Sequence, residues 1–468
     1  MKIGSIAAVF ALLAGCGGEE NEGRQSSSGS AGIGGQTEST AATAGADADA
    51  DGDAEGGPAG TVGASADGTA GGPDDDGDAE GNATGVLLFD VGSPDVSLSC
   101  GSGGGGGGGE EFAFSYIWIA NSTQGTVSKI DTVTTVEEGR YTATDDAAMQ
   151  PSRTSVNQYG DVAVGHRFSP RVTKIAAIPE RCVDTNGDGV ITTSTGAGDV
   201  LPYLQDECVL WSVDLPNHAQ GTRAVAWEGG VIDPVTCENT VPDPRVWVGY
   251  GSNPLQVYRL DGGTGAVLDM TEIASSGFVY GGAVNADGDF WVSDRSGLTL
   301  SRVDAITLAV STYAVPGSNA YGIGMDENGH PWIATYSVGP GDQVYRFDPV
   351  LETFIGAGGI SGRYRGMNID REGRAWVAGN SPCRLAQFDV ATDSVVNDAI
   401  PLPGCSDPVG VSVDAEGYVW VVDRGASVAW KVDPATQLVV ATVAGLVSPY
   451  TYSDMTGQGL NLVVNPPG

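Results

Sequence analysis

The sequence predicts an all-β fold: a seven-bladed β-propeller, closed into a ring by its C-terminal strand, behind a signal peptide and a disordered stalk. Three observations carry this prediction. A tryptophan-centred pattern recurs about every 44 residues, each repeat contains four short strand patterns, and the composition changes sharply near residue 112. Four-stranded units that repeat every ~40–45 residues are typical of propellers, whose blades bury each other's faces around a central channel.

The charge of the chain and the lengths of its apolar runs exclude two broad classes of protein. The 468 residues include 22 Lys and Arg against 59 Asp and Glu, for a net charge of −37. Because phosphate contacts need clustered basic residues, this balance excludes a general nucleic-acid binder. After residue 16 no apolar run approaches the ~18 residues that a membrane-spanning helix needs, which excludes a polytopic membrane protein.

The first 16 residues have the pattern of an export signal. Lys2 is followed by an apolar stretch, too short to span a bilayer, and then by Leu13-Ala14-Gly15-Cys16. The segment resembles bacterial lipoprotein signals, whose cysteine is acylated. The resemblance implies a lipid bilayer as partner through Cys16, and Gly17 in place of Asp implies an exported outer-membrane or cell-surface lipoprotein. An ordinary secretory signal with a chance cysteine is the alternative.

Residues 17–111 form the predicted linker. Gly, Ala, Ser, Thr and Asp dominate this segment, which contains acidic runs such as GADADADGDAEGG and seven consecutive glycines, Gly103–Gly109. Such a composition buries too little apolar surface to offset its conformational entropy, and like charges extend it further. We expect a disordered spacer; loose association of Ca²⁺ with the Asp runs is the alternative.

Residues 112–468 form the predicted propeller. In each repeat an apolar strand ends at a tight turn such as Asp326–Gly329, a tryptophan-centred strand follows, and two further strands complete the unit. From Trp118 a step of 44 residues reaches Val162 in a seventh repeat, and the 85 residues from there to Trp247 contain one period plus about 41 extra residues. The repeat tryptophans are Trp118, Trp247, Trp291, Trp332, Trp376 and Trp420.

Ring closure is predicted from the two ends of this region. The first blade begins at its second strand, Tyr116–Ala120, and the segment SPYTYSDMTG from Ser448 has the pattern of the missing first strand. It is therefore expected to complete the first blade, so that no sheet edge remains exposed. The chain is expected to be a monomer.

The repeats carry a family resemblance. IWIANSTQGTVSKIDTVT and VWVVDRGASVAWKVDPATQLVVATV resemble YVTN-type surface propeller repeats, and the spacing from YGIGMD through the Gly turn to the Trp strand is similar to virginiamycin B lyase (streptogramin lyase-like) and NHL-type propellers. The resemblance covers about residues 112–464. It implies a propeller fold, which hosts enzymes, receptors and scaffolds alike, and so leaves the function open.

The cysteines predict disulfides. Six remain besides Cys16, and an even number in an exported chain favours disulfide bonds over metal sites. Sequence proximity predicts the pairs Cys182–Cys208 and Cys383–Cys405, which leaves Cys100 with Cys237.

An insertion at residues 179–208, placed between the third and fourth strands of the second blade, contains a calcium-loop pattern. Carboxylates, an amide and a backbone carbonyl fall at the first, third, fifth and seventh positions of an EF-hand-type loop. Thr195 stands where such loops have a bidentate Glu, so we expect a structural Ca²⁺ with a weak Kd, on the order of 10⁻⁴–10⁻³ M. A polar turn without an ion is the alternative. The candidate metal ligands are Asp184, Asn186, Asp188 and Val190.

The channel mouth, the end of the ring at which the inner strands begin, is the predicted binding site. Alignment of the inner strands brings arginines and tyrosines to one register, beside the ends of the second strands. Arg forks and Tyr faces suit a carboxylate, phosphate or acidic sugar, and a positive mouth on an acidic body attracts anions. Alternatively, these residues cap the channel, paired with the mouth aspartates Asp294 and Asp423. The candidate binding residues are Arg153, Arg223, Tyr280, Tyr321, Arg365, Tyr450, Asp294 and Arg424.

The comparison with virginiamycin B lyase-like enzymes leaves the catalytic residues unknown. The resemblance implies histidines at this register on consecutive blades, a nearby glutamate and Mg²⁺, but here the register holds Tyr280, Tyr321 and Arg365. Acid–base chemistry at neutral pH therefore lacks its usual residue on these strands. The chain's histidines are His166, His218 and His330.

The sequence thus favours an exported, lipid-anchored propeller that acts as a ligand- or partner-binding module at the cell surface. A virginiamycin B lyase-like or lactonase-like enzyme at the channel mouth, using Asp294 with His166 or a bound divalent ion, is one alternative. A purely structural surface protein on a long spacer is the other.

Overall fold

The computed structural model describes residues 115–216, 221–231, 239–275, 277–317, 319–337, 343–359 and 362–467. The chain divides into residues 1–90 and 91–468, and every described residue belongs to the second unit. The predicted signal peptide with Cys16, the whole of the linker, His218 and the Cys100–Cys237 pair lie outside the described residues. None of the helices in the described part is long and apolar enough to cross a membrane.

Strands dominate the described residues, which also contain three short 3-10 helices and one α-helix. The α-helix is α1 (Gln458–Val464). The strands are β1 (Tyr116–Asn121), β2 (Thr126–Asp131), β3 (Glu137–Thr142), β4 (Pro151–Val156), β5 (Val162–His166), β6 (Arg171–Ile175), β7 (Val209–Asp214), β8 (Thr222–Trp227), β9 (Val246–Tyr250), β10 (Leu255–Leu260), β11 (Val267–Ile273), β12 (Val279–Val284), β13 (Phe290–Asp294), β14 (Thr299–Val303), β15 (Val310–Ala314), β16 (Ala320–Met325), β17 (Pro331–Ser337), β18 (Val344–Asp348), β19 (Thr353–Gly356), β20 (Gly362–Ile369), β21 (Arg374–Asn380), β22 (Arg384–Asp389), β23 (Ser394–Ile400), β24 (Pro408–Val413), β25 (Val419–Asp423), β26 (Val428–Asp433) and β27 (Leu438–Val443).

Consecutive strands pair antiparallel into sheets, which confirms an all-β propeller. Four-stranded sheets comprise β4–β7, β8–β11, β12–β15 and β24–β27, and β1–β3 form a three-stranded sheet. Strands β16–β19 and β20–β23 join into one eight-stranded sheet through the pairs Tyr336↔Arg363 and Ser337↔Gly362. Because of this joined sheet and the incomplete first one, the count of seven blades stays a prediction.

An aspartate–tryptophan hydrogen bond explains the repeated spacing in the later blades. The indole N–H groups of Trp332, Trp376 and Trp420 donate to the carboxylates of the aspartates six positions earlier, at 3.1, 2.8 and 2.9 Å. Each aspartate also accepts backbone N–H groups of the turn between the first and second strands. Since these indoles are fully buried, the bond satisfies a polar group that would otherwise be costly in the core.

The surplus residues between Val162 and Trp247 are divided between two places. One insertion lies between β6 and β7, as predicted. A second lies between β8 and β9, where residues 228–245 replace the short turn that residues 285–289 make between β12 and β13. The sequence analysis located only the first of these insertions, because a period count cannot locate extra residues within a repeat.

The C-terminal segment lies beside β1, although not as a regular strand. Asn121 forms an isolated antiparallel bridge with Pro449, and the Trp118 N–H donates to the Met455 carbonyl at 3.0 Å. The chain then enters α1, which the sequence analysis did not predict. The Asp454 carboxylate accepts the Gly457 and Leu460 N–H groups at the start of this helix, at 3.0 and 2.7 Å.

Candidate functional site

A β-bulge at the mouth end of each inner strand positions the predicted ring. The pairing register shifts at this point in β4, β8, β12, β16, β20 and β24. In β8, β12 and β16 the residues left out of the ladder are Arg223, Tyr280 and Tyr321. A bulge redirects the side chain of the extra residue, and so these arginine and tyrosine side chains leave the alternation of their own sheets.

Glycines after the ring residues allow the inner strands to approach closely. A Cβ on Gly322 would lie 2.0 Å from the Arg365 carbonyl oxygen, and one on Gly410 would lie 2.0 Å from that of Thr451. These contacts are with backbone atoms of the neighbouring segment, which cannot move aside. The YG and VG dipeptides of the repeats therefore set the width of the channel.

The tyrosines of the ring meet inside the channel. The hydroxyl oxygens of Tyr280, Tyr321 and Tyr450 lie 2.7–3.1 Å from one another. All three side chains are buried, and burial, reinforced by the neighbouring Tyr280 and Tyr450, raises the pKa of Tyr321 well above its usual value. The channel at this level is therefore closed by neutral, mutually hydrogen-bonded phenols.

Arg153 is enclosed below these tyrosines. Its guanidinium donates to the carbonyl oxygens of Arg223, at 2.9 Å, and Tyr280, at 3.0 Å, and to the Tyr452 hydroxyl. The Arg153 side chain is completely buried. This predicted binding residue therefore faces the protein's own groups.

Six arginines and four aromatic rings, one of which is Tyr450 of the tyrosine cluster, form a series of contacts around the mouth that we call the belt. Guanidinium carbons lie 4.2–5.9 Å from the ring centroids they cover. Asp407 closes the belt, 3.1 Å from Arg365 Nη2 and 2.6 Å from Arg424 Nε. In order, the belt runs through Arg424, Tyr450, Arg167, Phe168, Arg223, Phe278, Arg295, Tyr336, Arg363 and Arg365.

The belt has a buried inner part and an accessible outer part. Arg223 and Arg365 are 2% and 1% exposed, whereas Phe168 is 44% exposed, and Arg295, Tyr336, Phe278, Arg363 and Arg424 are half-buried. Burial lowers the pKa of Arg365, but Tyr321, Tyr450 and the Asp407 carboxylate more than offset this, so its pKa lies well above the usual value. The inner guanidinium remains charged at any physiological pH.

The aspartates expected to pair with the ring hold loops instead. The Asp294 carboxylate accepts the Ser275 hydroxyl and the Gly297 N–H. The Asp423 carboxylate accepts the N–H groups of Ser406 and Asp407, each at 2.9 Å. The ion-pair partner of Arg365 and Arg424 is Asp407, so the expectation that Asp294 and Asp423 pair with the ring is corrected.

His166 lies at the end of β5 and is completely buried. Its Nδ1 lies 3.1 Å from the Arg171 carbonyl oxygen. Desolvation by burial lowers its pKa to about 4. The imidazole is therefore neutral near pH 7 and out of contact with solvent, which suits packing better than proton transfer.

The opposite end of the channel is covered by α1, with a small cavity beneath it. The cavity measures about 40 Å³ and is lined by residues of the inner strands, such as Trp227 and Asn368, together with Asp454 and Leu460. A space of this size accommodates a few water molecules but not a sugar ring or a peptide.

The insertion between β6 and β7 folds into the turns expected of a calcium loop. Asp184 accepts the N–H groups of Gly187 and Gly189, and Asn186 and Asp188 each accept the N–H two residues ahead. Glu207, which lies far outside the pattern, accepts the Thr192 N–H at 2.7 Å and two N–H groups of the loop. The side-chain atoms of Asp184, Asn186 and Asp188 that could bind a cation are oxygens, as Ca²⁺ prefers, and the Glu207 carboxylate lies against the same loop.

Two disulfides join the pairs that sequence proximity predicts. Cys182 bonds to Cys208 at the ends of the insertion, with Cα atoms 4.4 Å apart. Cys383 bonds to Cys405, with Cα atoms 5.9 Å apart. The second disulfide lies beside Asp423 and immediately before the loop that carries Asp407. It therefore anchors one side of the mouth.

Sequence reasoning missed several residues of this site. Phe168 and Phe278 lie in mouth loops outside the repeat pattern, where alignment of strands has no register to offer. Tyr452 was detectable, because it follows Tyr450 by two positions and alternate residues of an extended segment share a face. Asp407 gave no signal, since its role depends on Arg365 and Arg424 from other parts of the chain.

Comparisons with known proteins agree with the fold. No protein-family model matches the chain, and no curated protein matches its sequence. A functionally unknown protein from Desulfotomaculum acetoxidans DSM 771 has a TM-score of 0.51 and 12% identity, covering 71% of this chain and 96% of that one. A protein from Lactobacillus plantarum has a TM-score of 0.50 and 11% identity, covering 72% and 98%.

The structure is also similar to virginiamycin B lyase (streptogramin lyase) and related β-propellers. A streptogramin B lyase has a TM-score of 0.49 and 11% identity, covering 66% of this chain and 87% of that one. The neighbours thus include enzymes as well as proteins of unknown function. At these identities the similarity describes the fold, and the activity has to be argued from the residues of this chain.

Proposed function

We propose that the protein is an exported, lipid-anchored binding module, and that the belt at its channel mouth binds an anionic ligand or partner at the cell surface. The observation that carries this proposal is the composition of the belt. It gathers six of the 17 arginines of residues 112–468 at one end of the channel, where Asp407 is ion-paired with two of them, although that region contains twice as many acidic as basic residues.

Electrostatics explains why such a concentration suits a ligand. Gathering like charges is unfavourable unless neighbouring groups or a bound anion compensate them, and the aromatic faces of the belt contribute to this compensation. A positive mouth on an acidic body also focuses anions toward the site. The outer arginines Arg295, Arg363 and Arg424 are the members that a ligand reaches first.

Binding is supported over catalysis by the surroundings of the mouth. The enzyme alternative used Asp294 with His166, but the first carboxylate holds a loop and the imidazole is buried and neutral. The side chains of Tyr280, Tyr321, Tyr450 and Arg153 are buried at the channel. The purely structural alternative is favoured by the burial of Arg153 and Arg365, and the next experiment separates it from ligand binding.

The test removes the three outer charges and leaves the buried Arg153, Arg223 and Arg365 in place. The variant Arg295→Ala/Arg363→Ala/Arg424→Ala is compared with Arg245→Ala/Arg302→Ala/Arg371→Ala, which changes the net charge equally at the other ends of the strands. Binding of oligogalacturonate, dextran sulfate and neutral dextran is titrated by calorimetry, with thermal melting as the folding control. The belt variant is expected to lose at least about tenfold in affinity for an anionic probe, while the control does not. Equal affinities in both variants would favour the structural role.

The lipid anchor has its own test, because it depends on Cys16 alone. The full-length protein is expected to fractionate with membranes and Cys16→Ser with the soluble fraction. Membrane association that survives the substitution would contradict the anchor without affecting the belt.

A further inference from the structure

One carboxylate of the chain already occupies the belt. Asp407 Oδ1 lies 3.1 Å from Arg365 Nη2, and Oδ2 lies 2.6 Å from Arg424 Nε. The Asn380 side-chain amide also donates to this carboxylate. Two guanidiniums and an amide therefore surround a planar anion, an arrangement that Arg favours for carboxylates.

The main chain at Asp407 is held independently of this carboxylate. Its N–H and that of Ser406 bond to Asp423, and its carbonyl accepts the Arg424 N–H at 2.9 Å. The preceding Cys405 is bonded to Cys383. Because the backbone is fixed by these contacts, a rotation of the side chain alone can remove the carboxylate from between the arginines, and 13% of that side chain is exposed to solvent.

Apolar rings lie elsewhere in the same belt, against Arg223 rather than against Arg365 and Arg424. Phe168 and Phe278 flank Arg223, with centroids 5.8 and 5.9 Å from its guanidinium carbon. Phe168 is 44% exposed, so part of its ring is open to contact with a ligand. A ligand that matches both features has carboxylates and apolar faces in one molecule, as a chain of uronic acid rings does.

We propose that the ligand of the mouth is a carboxylated sugar chain, and that Asp407 occupies the place between Arg365 and Arg424 that a ligand carboxylate takes. This inference rests on the proposed function and specifies its ligand class. Asp407 then acts as a competitor within the chain: it keeps the arginines neutralised until a ligand carboxylate replaces it. If Asp407 is such a competitor, removal of its charge strengthens the binding of carboxylated ligands. If its ion pairs are only structural, removal of the charge leaves ligand affinity unchanged.

The test compares two aspartates that each pair with arginine. Asp407→Asn keeps the shape of the side chain but removes its charge. Asp393→Asn does the same outside the mouth, where Asp393 pairs with Arg346 at 2.6 and 2.7 Å. Oligogalacturonate affinity is measured for both variants and the wild type, with dextran sulfate and neutral dextran in parallel. About tenfold tighter oligogalacturonate binding is expected for Asp407→Asn alone.

The outcomes separate this inference from the proposed function. If oligogalacturonate binding is lost on removal of Arg295, Arg363 and Arg424, yet Asp407→Asn binds no more tightly than the wild type, the proposed function stands and the role of Asp407 is refuted. If dextran sulfate binds more tightly than oligogalacturonate, only the proposal that the ligand carries carboxylates is refuted. If neither the wild type nor Asp407→Asn binds any anionic probe, the result counts against both proposals. Should Asp407→Asn melt too early for titration, Asp407→Ser provides the same comparison, read as the rise in melting temperature on adding oligogalacturonate.

Discussion

The ring of Tyr452 covers the guanidinium of Arg153, with the guanidinium carbon 3.4 Å from the ring centroid. Both side chains are buried, and the same guanidinium bonds to carbonyl oxygens of β8 and β12. One arginine of β4 thus connects two further inner strands to the C-terminal segment. The stability of the propeller should therefore depend more on the aromatic ring of Tyr452 than on its hydroxyl group.

Replacement of Tyr452 tests this dependence. Tyr452→Ala is expected to lower the free energy of unfolding by about 3–5 kcal/mol, as for other large aromatic truncations in cores. Tyr452→Phe keeps the ring over Arg153 and should cost only about 1 kcal/mol for the lost hydrogen bond. Urea denaturation of both variants measures the difference. Similar losses would indicate that the hydroxyl, not the stacked ring, is the important contact.

The burial of His166 predicts that the free energy of unfolding decreases at acid pH. Its folded-state pKa of about 4 lies below the unfolded value of 6.5, so the unfolded state binds more protons between these pH values. Its contribution to stability is complete above pH 6.5 and is lost as the pH falls toward 4, by up to about 3 kcal/mol. His166→Asn, whose amide can replace the Nδ1 contact, should show a smaller loss of stability over this window in urea titrations.

His330 provides the opposite control. A hydrogen bond to Asp326 raises its pKa above the usual value. The corresponding contribution is present below the unfolded pKa and is lost as the pH rises through the folded one. His330→Asn should therefore destabilise the protein most at acid pH. If both variants change the pH profile in the same direction, the assignment of the His166 effect is wrong.

The loop after Asp184 predicts a response to calcium. Added Ca²⁺ should raise the melting temperature, with half-saturation on the order of 10⁻⁴–10⁻³ M, and EDTA should reverse the rise. Asp184→Asn/Asp188→Asn retains groups that can accept the same loop N–H bonds but removes two charges, and it should abolish the response. The control Asp287→Asn/Glu327→Gln removes two exposed turn charges elsewhere. A wild-type melting temperature indifferent to Ca²⁺ and EDTA would leave the segment a polar turn.

Two truncations separate the roles of α1 and the segment before it. The helix buries Leu460, Leu462 and Val463, and each side chain contributes about 1.5–3 kcal/mol by its burial. Removal of residues 457–468 should leave a folded but less stable ring, because Tyr450 and Tyr452 remain. Removal of residues 449–468 should abolish folding. Near-ultraviolet circular dichroism distinguishes the outcomes, and identical spectra for the two proteins would contradict the division.

The sequence predicted which mouth residues share a register, but not how far their side chains extend into the channel. Periodicity placed Arg223, Tyr280 and Tyr321 at equivalent positions, and the bulges do align them. It could not show that the side chains enter the channel and close it, because that depends on contacts between different repeats, such as those among the Tyr280, Tyr321 and Tyr450 hydroxyls. The repeat pattern records the strand positions that the blades share, whereas the mouth depends on side chains that differ from blade to blade.

The α-helix could not be predicted from local pattern. Seven residues, QGLNLVV, are too few to show a helical period, and Gly457 offers no side-chain cap. The cap comes from Asp454 and the driving force from burial against the inner strands. Both belong to the assembled ring.

The bond between the Ser122 side chain and the Tyr450 carbonyl joins residues separated by 328 positions. The first sheet of the ring can thus be completed only by a segment synthesised long after it. While the ribosome is still making the intervening strands, β1 has an unpaired edge, which can pair with other chains and aggregate. A truncated chain that lacks this segment therefore cannot close the propeller, and its open sheet is exposed to proteolysis.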